Sequence, residues 1–244
     1  MNTDTRIPEA RYIFIDVETI PRYDEAVRDS LRPPKTHKKP EAIDAWRSDQ
    51  FTDKGGLNTH TGEVATLSCA VNGMPVQTWL IDHPNYPDST DTMRLWPDAI
   101  APHITPQTVF VAHNWAFDGP MIEAMLIDMG RHDIRRRMAD AFAVSPYKGR
   151  TRDVYDTMIE YPATGRNNYV SLSVACARFG IVPPTGDGAD VANQWDDGDV
   201  AEIVAHNQDD VRATRELFCR MAGIRFDGMD AYETGGKWTA KLEG

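Results

Sequence analysis

Two carboxylates close a run of apolar residues near the start of the chain: Tyr12-Ile13-Phe14-Ile15-Asp16-Val17-Glu18-Thr19. Ile13, Phe14 and Ile15 favour a strand, and an apolar run of this kind suits a strand covered on both faces. Side chains alternate along a strand, so Asp16 and Glu18 point the same way. Two acids at the end of a buried strand repel each other and lose hydration. A hard cation bound by oxygen, such as magnesium or manganese, removes that cost. The competing reading is a strand that ends in two solvated acids, and this stretch alone does not separate the two.

Later residues can join the pair. A second apolar strand, Thr108 to Ala112, runs into His113-Asn114-Trp115-Ala116-Phe117-Asp118-Gly119-Pro120. Aspartate before Gly-Pro reads first as a helix N-cap. A long helix is expected over Asp199 to Met221, where Ile203, His206, Asp210, Ala213 and Leu217 recur at three- and four-residue spacing on one face. Glu202, Ala205, Asp209, Arg212 and Glu216 fall on a neighbouring, more polar face, so Asp210 points inward and Asp209 outward. An inward histidine and carboxylate need a partner. A satisfied core pair is one, and a metal site shared with Asp16 and Glu18 is another. Ligands in open sheets sit beyond the carboxyl ends of strands, where all these groups could meet.

The intervening elements must position them. Residues 21–62 are polar, with Pro33-Pro34, the cluster Lys35, His37, Lys38 and Lys39, and a short helix over Pro40 to Trp46. They read as an inserted flap or a solvated loop. Glu63 to Asn72 and Val76 to Asp82 read as strands joined at Asn72-Gly73, a hairpin signal. Thr92 to Ile104 reads as helical, broken near Pro97 and Pro102. A helix carrying Met121, Ile122, Met125, Leu126 and Met129 as core stops near Gly130. Arg131 to Arg137 reads as a solvated basic face, and Arg152 to Met158 as a strand. Ser171 to Gly180 reads as a capped helix and Pro183 to Asp197 as a loop. The pattern predicts an α/β domain with a mixed sheet flanked by helices.

Composition limits the function. The 244 residues carry 26 Lys+Arg against 37 Asp+Glu, a net charge of -11. That disfavours passive binding of nucleic acid through bulk charge, but not an enzyme holding cations in an acidic cleft. Cys69, Cys176 and Cys219 form no CxxC pair, so neither a zinc site nor a disulfide framework is indicated. With no charged-then-apolar leader and no long apolar run, the expectation is a soluble, cytoplasmic protein without a membrane partner.

Taken together, Asp16-x-Glu18, then His113-Asn114-x-x-Phe117-Asp118, then a late helix with Asp210-Val211 resemble the DEDD superfamily of 3′–5′ exonucleases on a ribonuclease H-like fold. The likeness covers about Arg11 to Met221. It is nearest to phage and bacterial exonucleases related to the proofreading domain of family B DNA polymerases. Thr61-Gly62-Glu63-Val64 after a long Pro- and Lys-containing segment fits that group. Ser171-Leu172-Ser173 and Gly180-Ile181 look similar as well.

The resemblance implies one exonuclease domain over 1–222 and a tail over 223–244. It implies two divalent cations, Mg2+ or Mn2+, held by Asp16, Glu18, Asp118 and Asp210. Asn114 and Phe117 would contact the terminal nucleotide. The substrate would be single-stranded DNA, with RNA as the alternative, and a replication or recombination protein could deliver it. A phage-encoded protein would work in the host cytoplasm. His206 would deprotonate or orient the attacking water. It departs from the family pattern, being a histidine four residues before Asp210, where the superfamily has tyrosine at four or histidine at five. Competing functions are a non-catalytic nucleic-acid-binding module and a transposase- or resolvase-type endonuclease. The four acids argue against the first, and the lack of a basic DNA-binding segment against the second.

Overall fold

The structure is a computed structural model, and it describes residues 11–22, 24–52, 54–83, 91–143, 151–161, 169–186 and 188–226. Five strands form one mixed sheet in the order β3-β2-β1-β4-β5. β1 (Arg11–Pro21) is central, antiparallel to β2 (Gly62–Val71) and parallel to β4 (Thr108–Ala112). β3 (Gln77–Leu80) pairs antiparallel with β2, and β5 (Val154–Asp156) parallel with β4. With helices on both faces, this is an α/β fold with a mixed five-stranded sheet, consistent with the ribonuclease H-like arrangement expected.

Alternation along β1 decides which helix meets which face. Ile13, Ile15 and Val17 belong to the core built with Met121, Ile122, Met125 and Leu126 of α4 (Trp115–Asp128). Phe14 faces the other way, against Val211, Phe218 and Cys219 of α10 (Val200–Ala222). Asp16 and Glu18 share Phe14's parity, so they look toward α10. Phe226, just beyond that helix, packs its ring edge-on to Phe14.

The remaining helices are α1 (Glu25–Ser30), α2 (Pro40–Thr52), α3 (Trp96–Ile100), α5 (His132–Arg137), α6 (Ala139–Phe142), α7 (Thr157–Glu160), α8 (Leu172–Phe179) and α9 (Val191–Asp197). The hairpin turns at Asn72, which has φ 51, as an Asn-Gly turn requires. Ser171 caps α8 through Val174 N–H, and Gly180 ends it in the left-handed region at φ 68.

Several expectations are corrected. The 21–62 stretch is no plain loop: it carries α1, α2 and a 3-10 turn at Gly55–Leu57, whose Gly56 carbonyl accepts the Thr19 hydroxyl. The helix expected over Pro40 to Trp46 continues to Thr52, with Phe51 buried. The Arg152 to Met158 strand is only Val154–Asp156, because Asp156 caps α7 and turns the chain. Within the expected loop 183–197, Val191 and Trp195 are buried and drive α9. Glu216 is buried rather than on a polar face, with Arg212 3.9 Å away. The Arg131 to Arg137 run is, as expected, a largely exposed helix face, with Arg131 paired to Asp98 and Asp133 and Arg135 to Glu123. No described helix is long and apolar enough to cross a membrane.

Candidate metal centre

The crevice opens where two parallel strands part. The last β1–β4 pair is Phe14 with Val111, while β1 stays paired to β2 through Asp16, Glu18 and beyond. Past Ala112 the chain leaves the sheet and enters α4. The edge of β1 at Val17 is thereby freed, and the Asp118 carboxylate accepts the Val17 N–H. Asp118 therefore does not cap its helix. The N–H groups of Phe117 and Asp118 already bond the Asn114 carbonyl, so α4 starts one turn earlier than Gly-Pro suggested. The Asn114 side chain makes no cap bond.

Asp156 does the capping instead. Its carboxylate accepts the Trp115 N–H at 2.9 Å, and those of Met158 and Ile159 at 2.9 and 3.2 Å. One buried acid thus holds the start of α4 and the start of α7, and so fixes where Asp118 sits. Asp156→Ala is expected to destabilise the fold by about 1–2 kcal/mol, as loss of a helix cap does. It should also lower any activity of the crevice. Urea unfolding of the variant checks the first effect.

α10 supplies the facing wall. Asn207, fully buried, donates from Nδ2 to Asp16 Oδ2 at 2.6 Å. His206 Nε2 lies 3.4 Å from Glu18 Oε1 and 3.9 Å from Asp210 Oδ2. The other ring nitrogen, Nδ1, donates to the Thr185 carbonyl. Asp209 points away, accepting from the Thr185 hydroxyl at 3.0 Å and from Arg212 at 3.2 Å. Asp16, Glu18, Asp118, His206, Asp210, Asn114 and Phe117 all line one cavity of about 460 Å³. The metal, base and nucleotide-contact candidates read from the sequence therefore line one cavity.

The electrostatics are those of buried acids crowded together. Burial, and then Asp118, Asp210 and Glu18, push the Asp16 carboxyl well above its ordinary range. Glu18 is raised by burial, then by Asp210 and Asp118. Asp118 is raised by burial and then by Asp156, with the Val17 N–H opposing. Burial pushes Asp210 up to about 6, against the pull of His206. His113 is held otherwise. Its Nε2 donates to the Val170 carbonyl at 2.9 Å and its Nδ1 meets the Thr157 hydroxyl at 2.9 Å, while burial lowers its pKa to about 4. It stays neutral, with both nitrogens engaged.

A cation fits these residues. Donor atoms of Glu18, His206 and Asp210 all lie within 4.8 Å of one another. Asp210 Oδ1 is buried with no hydrogen-bond partner among the described residues. An orphaned carboxylate oxygen beside two more donors can be satisfied by a metal ion.

Sequence reasoning missed Asn207 and Asp156. Asn207 follows His206 directly, and its position opposite Asp16 depends on helix rotation. Asp156 ends a strand at an Asp-Thr step that opens a helix, a cap signal that could have been read.

No family model matches the chain. No curated protein matches it. Among solved structures, the family B DNA polymerase from the hyperthermophilic archaeon Pyrobaculum calidifontis is similar to it, with a TM-score of 0.48 and 13% identity. The match covers 88% of this chain and 25% of that one, so the chain spans about a quarter of the polymerase's length.

Proposed function

We propose that the protein is a 3′–5′ exonuclease that removes nucleoside monophosphates from the 3′ end of single-stranded DNA. The observation that carries this reading is the convergence of Asp16, Glu18, Asp118 and Asp210, from three distant segments, on one open crevice, where each carboxyl is raised above its ordinary range. These four acids would hold two divalent cations, Mg2+ or Mn2+. When bound, such a pair stabilises the charge on the attacking and leaving oxygens of an in-line phosphodiester displacement.

The chain's own residues do the rest. Asn207 takes up one Asp16 oxygen and fixes that carboxylate's rotamer, leaving the other oxygen for the crevice. Asn114 offers its side-chain amide from the wall and Phe117 a ring, suited to hydrogen-bond and pack against a terminal nucleotide. His206 adds Nε2 to the same centre. Residues 1–222 would form the exonuclease domain and 223–244 its tail, of which 227–244 lie outside the described residues. Residues 21–62, packed by their 3-10 turn against the end of β1, would form a flap whose exposed Lys35, Lys38 and Lys39 meet phosphates.

The test is a sequencing gel with 5′-labelled single-stranded DNA, duplex DNA and RNA, with Mn2+ or with excess chelator. The expected result is a ladder of 3′-shortened DNA products that disappears in chelator. Cleavage persisting in chelator, or internal cuts without a ladder, would overturn the reading. Binding without cleavage would make the chain a nucleic-acid-binding module.

A further inference from the structure

The sequence casts His206 as a base acting on water. We propose instead that His206 Nε2 is itself a metal ligand, completing with Glu18 and Asp210 a mixed nitrogen–oxygen site that selects an imidazole-accepting cation such as Mn2+, Co2+ or Zn2+ over Mg2+. This rests on reading the crevice as a cation centre, but not on that centre cutting nucleic acid.

Three observations carry it. The first is the tautomer. Nδ1 faces the Thr185 carbonyl, which can only accept, so Nδ1 holds a proton and the neutral ring presents its lone pair at Nε2, the nitrogen turned toward Glu18 and Asp210. A ring fixed through a backbone carbonyl in this way is the usual second-shell arrangement of a metal-bound histidine. The second is distance. Ligand bonds of about 2.1 Å place two donors roughly 3.0 Å apart at a right angle and roughly 3.4 Å apart at the tetrahedral angle. Opposite donors are then roughly 4.2 Å apart on the same bond length. The separations from Nε2, 3.4 Å to Glu18 and 3.9 Å to Asp210, lie within that span.

The third is how the ring is built in. Gly186 sits at φ +95, and a Cβ there would come within 2.9 Å of His206 Nδ1. The loop can press its backbone on the ring only because residue 186 has no side chain. The His206 side chain is 11% exposed, so the nitrogen is held rather than sampling solvent. Oxygen-only sites suit magnesium, whereas an imidazole donor shifts preference along the series from Mn2+ toward Zn2+.

The experiment uses the full chain without nucleic acid, stripped with chelator and loaded with Mn2+. Pulsed electron paramagnetic resonance reads nitrogen-14 coupling to the bound ion, and titration gives Mn2+ and Mg2+ affinities. Wild type is expected to show imidazole-type nitrogen modulation, and His206→Ala to lose it. Mn2+ affinity should fall at least about 10-fold in His206→Ala, and about 10–100-fold in Gly186→Ala, which keeps the histidine but displaces its ring. Mg2+ affinity should change far less. Bound Mn2+ without nitrogen modulation in wild type would overturn the proposal. So would modulation that survives in His206→Ala, or equal losses for Mg2+ and Mn2+. Where His206→Ala fails to fold, Gly186→Ala carries the test: weakened modulation supports the ligand role, and unchanged modulation overturns it. Modulation in a protein that leaves DNA intact would sink the exonuclease reading alone, and a DNA ladder without modulation would sink the ligand role alone.

Discussion

Asp16→Asn is expected to lower turnover in the proposed exonuclease reaction by on the order of 10³-fold while leaving the fold intact, and to raise the melting temperature in chelator. The activity estimate follows from charge stabilisation by bound cations, worth several kcal/mol, at about 1.4 kcal/mol per tenfold in rate. The stability gain has a separate cause. Asp16 lies among Glu18, Asp118 and Asp210, and its carboxyl is raised first by burial and then by all three. An amide removes that repulsion, and it can still meet Asn207 through its own carbonyl oxygen.

The same shifts give the wild type a pH dependence with a definite sign. A carboxyl raised in the folded state binds a proton there that the unfolded chain has already released. Stability therefore falls as pH rises from the unfolded value to the folded one. For Asp210 that window runs from the ordinary 3.8 to about 6, and Asp16, Glu18 and Asp118, raised in the same direction, add to the decline. In chelator, the wild-type melting temperature should decline by several degrees between pH 5 and 8. Asp16→Asn should decline less. Saturating Mn2+ should restore the wild type at pH 8 and the variant much less, because the ion binds the folded state only. A wild type insensitive to both pH and Mn2+, assayed by scanning calorimetry, would contradict the electrostatic account of the crevice.

Asp210→Asn and Asp209→Asn should differ by roughly 10²-fold or more in turnover, the adjacent residue being nearly silent. Loss of one charged donor is worth several kcal/mol at a metal centre. Asp210 turns Oδ2 toward His206 and keeps Oδ1 buried without a partner, whereas Asp209 bonds Thr185 and Arg212 outside the cavity. Asp209→Asn retains an oxygen for Thr185, so its effect should stay within a few-fold. Steady-state rates on one labelled oligonucleotide decide the matter. Comparable losses in the two variants would mean that the catalytic centre is not the cavity described.

The groups legible from sequence are those whose surroundings are set by nearby residues. Alternation in β1 put Asp16 and Glu18 on one face. Helical spacing separated Asp210 from Asp209, and Asn72-Gly73, Ser171 and Gly180 marked a turn and two helix ends through their own backbone preferences. What only the tertiary structure decided depends on partners far along the chain. Asp156 reaches Trp115 across 41 positions, and Asn207 reaches Asp16 across 191. α9 exists because Val191 and Trp195 find a core with Ile20 and Ala65, which no local period in a Gly-, Pro- and Asp-rich stretch announces. Asp118 looked like a cap because Asp-Gly-Pro is a local signal. It became a buried acid because β4 ends before β1 does, freeing the Val17 N–H to which its carboxylate turns. The spacing of His206 matched neither family pattern, and spacing alone does not orient a ring. The Thr185 carbonyl and the bare backbone of Gly186 do that, and they are brought to the helix by the fold.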